Sequence, residues 1–200
     1  MAWIAYYLLI IPFSYLPLRV LYLFTDFFYL LLITVVPYRK HIIRENLARS
    51  FPDKSTKDIR QLQRKFYRHF TDILAEGIKN LTISERSLRK RFIVKNIELM
   101  NDLHYREKNV LLVSGHFNNW EWFISAQPLL LQHTCYGIGM PMTSSFWDKK
   151  VNGRRERFGM NVVNAKNYKQ TLSDASESLN AVLVLSDQSP GDSKKSYWMK

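Results

Sequence analysis

The sequence predicts an α/β protein with a mostly parallel sheet covered by helices, preceded by an N-terminal membrane-associated helical segment. From Val110 onward, short apolar runs alternate with helical stretches, which is typical of parallel sheets. Before residue 37 the chain is almost wholly apolar and aromatic. The single Cys135 cannot form an internal disulfide, so we expect a reducing, cytosol-facing compartment. Because aromatic residues follow the last apolar run closely, we also expect the chain to be C-terminally incomplete.

The N-terminal segment, residues 1–36, is predicted to anchor the protein at a membrane. Pro12 and Pro17 divide it, and the second apolar stretch, residues 18–36, approaches the roughly 20 residues that cross a bilayer. It could span the membrane or lie within one leaflet. The basic flank that begins at Arg39 predicts that the rest of the chain faces the cytoplasm. The alternative is a pair of buried hydrophobic helices in a soluble protein.

Residues 37–91 are predicted to form a basic helical segment. One helix covers residues 38–50 and is stopped by Phe51-Pro52. Ser55 is a good cap for a long amphipathic helix that continues to about residue 80. A short basic helix follows over residues 85–91.

The α/β domain is predicted over residues 92–200. It opens with a short strand at residues 92–94, and further strands and helices then alternate. The predicted strands are 110–114, 134–138, 161–163 and 181–186, and the predicted helices are 119–131, 144–158 and 167–179.

The charge pattern favours an anionic partner. The net charge is +12, and 28 of the 29 Lys and Arg lie downstream of residue 36, together with 16 of the 17 Asp and Glu. Such a balance suits acidic lipid headgroups, an acidic protein or nucleic acid. No zinc-ligand spacing, phosphate-binding glycine loop or nucleotide fingerprint is present in the sequence, so we expect no cofactor or metal.

The most informative segment is the turn that follows the first long strand. There Gly115 and His116 come directly after an apolar run, and Glu121 follows five residues later. On one helix these two ionisable side chains would point apart, so they can meet only across a turn. Asn118 or Asn119 could cap a helix beginning at Trp120 and so provide that turn. A carboxylate on one ring nitrogen raises the basicity of the other, which suits deprotonation of an alcohol.

These residues resemble the signature of the lipid A biosynthesis (late) acyltransferase family, a branch of the lysophospholipid acyltransferase superfamily built around His-x-x-x-x-Asp/Glu. The matching signature is Gly-His-Phe-x-Asn-Trp-Glu at residues 115–121. Further segments are similar to that family: the apolar N-terminus, Asn46–Pro52, Phe66-Tyr67 with Glu76, Arg155–Gly159 and Ser186–Pro190.

The resemblance implies an enzyme on the cytoplasmic face of the inner membrane. It would move a fatty acyl group from an acyl carrier protein thioester to a hydroxyl of an anionic lipid A precursor. His116 would be the general base and Glu121 its orienting partner. The resemblance implies substrate-binding roles for Gly115, Phe117, Asn118, Asn119, Trp120, Arg155, Asp187 and Gln188. Asn118 departs from the family, which usually has glycine there, and the family continues for about another third of its length.

Three alternatives remain open at this point. The enzyme could belong to the same superfamily and acylate another glycerolipid, aminolipid or glycolipid. The chain could instead be an inactive scaffold. It could also be a membrane-tethered nucleic-acid-binding module, although its aromatic residues are concentrated in the apolar segment and helix cores. We therefore expect no nucleic acid partner. Arg154, Arg155 and Arg157 form a basic cluster that would otherwise be interpreted as a solvated helix face.

Overall fold

The computed structural model describes residues 2–35, 38–175 and 178–188. Contacts within the chain separate an N-terminal unit, residues 1–83, from a C-terminal unit, residues 84–200. The three segments inferred from the sequence, 1–36, 37–91 and 92–200, stay a prediction.

The N-terminal unit is helical throughout its regular structure. A π-helical turn, Tyr6–Ile10, interrupts the first helix just before Pro12, whose ring would clash with the carbonyl four residues earlier in an ordinary α-helix. The helices are α1 (Ala2–Ala5), α2 (Ile11–Tyr15), α3 (Leu18–Thr34), α4 (Lys40–Ser50) and α5 (Thr56–Lys79).

Helix α5 is the scaffold of the N-terminal unit. It begins with a reciprocal capping box between Ser55 and Asp58, as the sequence predicts for Ser55. Its buried stripe packs against α3, where Leu18 and Leu21 are buried. The one acidic residue of α3, Asp26, accepts a hydrogen bond from Arg68 of α5 at 2.9 Å. The pair neutralises the one negative charge of this mostly apolar helix.

The opposite side of α3 is unusually apolar for a surface. Leu23, Phe27 and Leu30 are all exposed there. Apolar patches of this kind mark interaction surfaces for proteins or membranes. Within the described residues, every helix falls short of the combined length and hydropathy required to cross a membrane.

The C-terminal unit alternates helices and strands. Its elements are α6 (Glu85–Arg91), α7 (Ile97–Tyr105), β1 (Val110–Ser114), α8 (Trp120–Leu130), β2 (Thr134–Gly139), α9 (Ser145–Glu156), β3 (Asn161–Asn164), α10 (Tyr168–Asp174) and β4 (Asn180–Leu185).

The strands form one parallel sheet in the order β1-β4-β2-β3 across the described residues. Strand β4 lies between β1 and β2, with Ser114 of β1 opposite Leu185 of β4. Because the carboxyl ends of parallel strands meet at one edge, the turns after β1 and β4 are neighbours. This register positions the candidate site.

The core lies on one face of the sheet. Cys135, Ala181 and Leu183 are buried there together with Ile124 of α8 and with Met160. On the other face, Tyr168 and Leu172 of α10 border a cavity with strand residues of β4. The α/β class and the parallel sheet predicted from the sequence are confirmed.

One predicted strand is wrong. Residues 92–94 form neither a helix nor a strand, and α7 follows them where the sequence analysis predicts no element. Phe92 instead stacks on Phe123 of α8, with the ring centroids 5.7 Å apart. Ile93 is 76% exposed, so an apolar run of three residues does not by itself establish a strand.

Candidate active site

The turn between β1 and α8 holds the predicted base. Asn118 has φ = 50°, a left-handed conformation that favours glycine and, next, asparagine. This angle explains how asparagine can stand where the family usually has glycine. Asn119 then caps α8, because its side-chain oxygen accepts a hydrogen bond from the Trp122 N–H at 3.0 Å. The helix start predicted at Trp120 is confirmed.

His116 is bonded to Asp187 twice. Its Nδ1 lies 2.8 Å from Asp187 Oδ1, and its backbone N–H donates to Asp187 Oδ2 at 2.8 Å. Each residue comes two positions after a strand end, and the two strand-end residues are directly paired in the sheet. The sheet register therefore brings them side by side.

Gly115 contributes space in this turn. A Cβ atom built on it would lie 3.1 Å from Asp187 Cβ and Cγ, closer than nearly all real contacts. Gly115 does not adopt the left-handed conformation that its residue type would permit, and Asn118 adopts it instead. Any larger residue here would require Asp187 to shift by a few tenths of an ångström.

The hydrogen bond from His116 lowers the pKa of Asp187, and the His116 backbone N–H contributes as well. Asp187 is therefore ionised at neutral pH and accepts a hydrogen bond from His116 Nδ1. That leaves Nε2 of His116 with its lone pair available, which is the tautomer a general base needs.

Glu121 binds two arginines of α9. Its Oε1 accepts from Arg155 at 2.5 Å, and its Oε2 accepts from Arg154 at 2.5 Å and from Arg155 at 3.1 Å. The sequence predicts that Glu121 orients His116, but the carboxylate bonded to His116 in the structure is Asp187. The catalytic roles of these residues stay predictions. The motif spacing is compatible with both arrangements, and the sheet register favours Asp187.

Burial alone would raise the pKa of Glu121. The hydrogen bond from Arg155 and the charges of Arg154 and Arg155 outweigh that effect, so the pKa is lowered. The carboxylate is consequently ionised and paired in the folded protein. It ties the start of α8 to the last turn of α9.

A cavity of about 400 Å³ opens beside His116 at the carboxyl ends of the strands. Its polar lining includes His116, Arg155 and Gln188, and the rest of its lining is mostly apolar. Gly137 and Gly139 of β2 face it with no side chain, and a Cβ on Gly137 would be 3.5 Å from Met160 Sδ. The apolar space exists because β2 carries two glycines in alternate positions. A ligand with a polar head and an apolar tail fits this division.

The structure distributes the predicted binding residues differently. The cavity is lined by His116 together with Trp120, Arg155 and Gln188. The Trp120 ring packs edge-on against the His116 ring, with the ring centroids 5.3 Å apart. Gly115, Asn118 and Asn119 build the turn, whereas Phe117 is 86% exposed. The binding roles themselves stay predictions. The sequence analysis misses Arg154 as a partner of Glu121 and the glycines of β2, although the Gly-x-Gly alternation within a strand is a visible signal.

Other reactive groups are excluded. Burial raises the pKa of the Cys135 thiol to about 12, so it is not a thiolate nucleophile at neutral pH. Within the described ranges, no cluster of His, Cys, Asp and Glu side chains could hold a metal ion.

The His116–Asp187 pair lies at the carboxyl edge of the parallel sheet, where α/β proteins commonly build their sites, beside a cavity with polar and apolar lining. The model of the family described as bacterial lipid A biosynthesis acyltransferase matches residues 1–198. The chain belongs to this family, which implies acyltransferase activity of the lipid A type. A search of curated proteins gives no match to the chain.

Proposed function

We propose that the protein transfers a fatty acyl group from an acyl carrier protein thioester to a hydroxyl of a lipid A precursor, with His116 as general base. The observation that carries the proposal is the bond between His116 Nδ1 and Asp187, which leaves Nε2 as a base beside the cavity. The family match supports the class of reaction.

The chemical steps follow from that tautomer. His116 Nε2 takes the proton of the acceptor hydroxyl while the hydroxyl oxygen attacks the thioester carbonyl carbon. The tetrahedral intermediate collapses, the C–S bond breaks, and the carrier thiolate takes the proton from His116. Asp187 stabilises the imidazolium that exists between the two proton transfers. An ester and a free carrier thiol are the products.

The apolar and polar parts of the cavity would bind different parts of the substrates. The acyl chain would lie along the apolar wall beside Gly137, with the thioester carbonyl near His116. Arg155 and Gln188 would face the anionic acceptor. Glu121 acts on the polar lining of the cavity indirectly, because it holds Arg154 and Arg155 in place.

The membrane location is part of the same proposal. The exposed apolar side of α3 suits insertion into a bilayer, and the basic flank at α4 suits the cytoplasmic face. We therefore propose that the enzyme acts at the cytoplasmic face of the inner membrane, where an acyl carrier protein can deliver its thioester.

The test is acyl transfer by the purified chain in vesicles that contain lipid A precursor, with labelled acyl carrier protein thioesters. We expect His116→Ala to lower transfer by about 10²- to 10⁴-fold, the usual contribution of a general base. His69→Ala, an exposed histidine on α5, is the matched control and should keep the parent rate. Undiminished transfer by His116→Ala would refute the assigned base. If mass spectrometry of a lipid extract identifies transfer to another lipid, that lipid replaces the lipid A precursor as the acceptor.

A further inference from the structure

A basic cavity lies in the N-terminal unit, and none of the residues that line it belongs to the candidate active site. It has a volume of about 460 Å³ and is bounded by the end of α3, the start of α4 and the first half of α5. Among the described residues its lining combines Leu32 and Ile33 with basic side chains. These are Lys40, Arg44, Arg60 and Arg64.

The basic side chains are spaced so that they repel one another. Lys40 and Arg44 are four residues apart on α4, as are Arg60 and Arg64 on α5, and like charges at this spacing destabilise a helix. In the described part of the chain, no ion pair joins these side chains to a carboxylate, and the nearby Glu45 pairs with Arg49. An anion in the cavity would offset this repulsion.

The cavity wall is held by buried hydrogen bonds. The Gln63 side chain donates to the Lys40 carbonyl at 2.6 Å, and the Tyr67 hydroxyl donates to the Tyr38 carbonyl at 2.7 Å. Gln63 and Tyr67 are both buried. They attach the start of α4 to α5, so the cationic side chains are presented by a preformed surface, which lowers the cost of binding.

The surroundings indicate which kind of anion fits. The cavity is bounded by the last turn of α3, and the exposed apolar residues Leu23, Phe27 and Leu30 lie earlier on the same helix. Its 17 residues span about 25 Å. Leu32 and Ile33 of α3 line the cavity together with the four cations, so a lipid would find apolar contacts and cations for its phosphate in the same cavity.

We propose that this cavity binds the phosphate group of an anionic phospholipid headgroup. The proposal rests on the membrane association proposed above and is independent of acyl transfer. Headgroup binding here would make the N-terminal unit prefer anionic over neutral membranes.

The test is flotation of the purified chain with vesicles of phosphatidylcholine alone or mixed with phosphatidylglycerol. The readout is the ratio of the two partition coefficients. We expect Arg60→Gln/Arg64→Gln to reduce this ratio by roughly 25-fold, since each cation near an anionic surface contributes about fivefold. The control is Lys57→Gln/Lys65→Gln, which removes the same charge from exposed positions of the same helix outside the cavity. It should reduce the ratio by less than about fivefold.

Equal losses in the two double variants would overturn the proposal, because they would show attraction by net charge alone. So would equal binding of the parent to both vesicles, a result that would leave membrane association and acyl transfer standing. Inorganic phosphate, added at constant ionic strength, should not release the parent from phosphatidylglycerol vesicles. Release would mean that the cavity takes free phosphate. Gln, Arg and Lys have similar helix propensities, and melting curves by circular dichroism should confirm that both variants fold.

Discussion

Two carboxylates serve the candidate active site in different environments. The Asp187 side chain is 44% exposed and is bonded to His116, whereas the Glu121 side chain is 16% exposed and is bonded to Arg154 and Arg155. An exposed pair contributes little to stability, but it can change its charge distribution during a reaction at low cost. A buried pair fixes the elements that carry it, and removal of one partner leaves a buried charge. We therefore assign chemistry to the first pair and architecture to the second.

The largest effect should come from Asp187→Asn. The variant keeps the shape of the side chain but removes the charge that holds the His116 tautomer, so we expect acyl transfer to fall by about 10²- to 10⁴-fold. The unfolding midpoint should remain within experimental error because Asp187 is exposed. Transfer is measured with carrier thioesters, and Asp174→Asn, an exposed aspartate on α10, is the control. A parent-like rate in Asp187→Asn would overturn this half of the comparison.

Glu121→Gln should show the opposite pattern. It leaves Arg154 and Arg155 without their carboxylate, and breaking a buried pair in this way costs about 3 kcal/mol of unfolding free energy. Urea unfolding measures the loss. Glu156→Gln, an exposed residue at the end of α9, should change stability by less than about 0.5 kcal/mol. If the Glu121 variant is as stable as the control and loses only activity, Glu121 is catalytic and the assignment of the two carboxylates is reversed.

The sequence was sufficient to predict most of the elements around His116. Alternating apolar runs identified β1 to β4, and capping residues located the starts of α5, α6 and α8, because these signals are local. Residues 92–94 lack such support: Phe92 stacks on Phe123 and Ile93 is exposed, and no local pattern reveals this.

The partner of His116 could not be predicted in the same way. Glu121 is five residues away and Asp187 is 71 residues away, so sequence proximity favours the wrong carboxylate. The choice depends on which strand lies beside β1, and β4 intervenes between β1 and β2. The signal that remained in the sequence was that a polar turn follows each of two apolar strands, which end at Ser114 and Leu185.

Substrate length should depend on neither carboxylate. It should depend on the apolar wall of the cavity, where Gly137 leaves space beside Met160. Gly137→Leu would fill part of that space, so we expect the preference for long over short acyl thioesters to fall by about tenfold, the lower end of what one methylene can contribute. Competition between two carrier thioesters measures the ratio. Gly153→Leu on the exposed side of α9 should leave it unchanged. An unchanged ratio in Gly137→Leu would place the acyl chain elsewhere.

The smallest effect concerns the acid limb of stability. The folded pKa of Glu121 is below its ordinary value of 4.5, so its ion pairs contribute fully above that pH and are lost as pH falls through the folded pKa. The stability gap between the parent and Glu121→Gln should therefore be largest near pH 7 and should narrow at about pH 3.5. For Asp187→Asn the gap should be small at both values, because solvent screens an exposed pair. Urea unfolding at the two pH values separates these cases. If the stability difference between the parent and Glu121→Gln stays constant or grows in acid, the Glu121 carboxylate is not ionised in the folded protein. Its role as the structural partner of the two arginines would then be wrong.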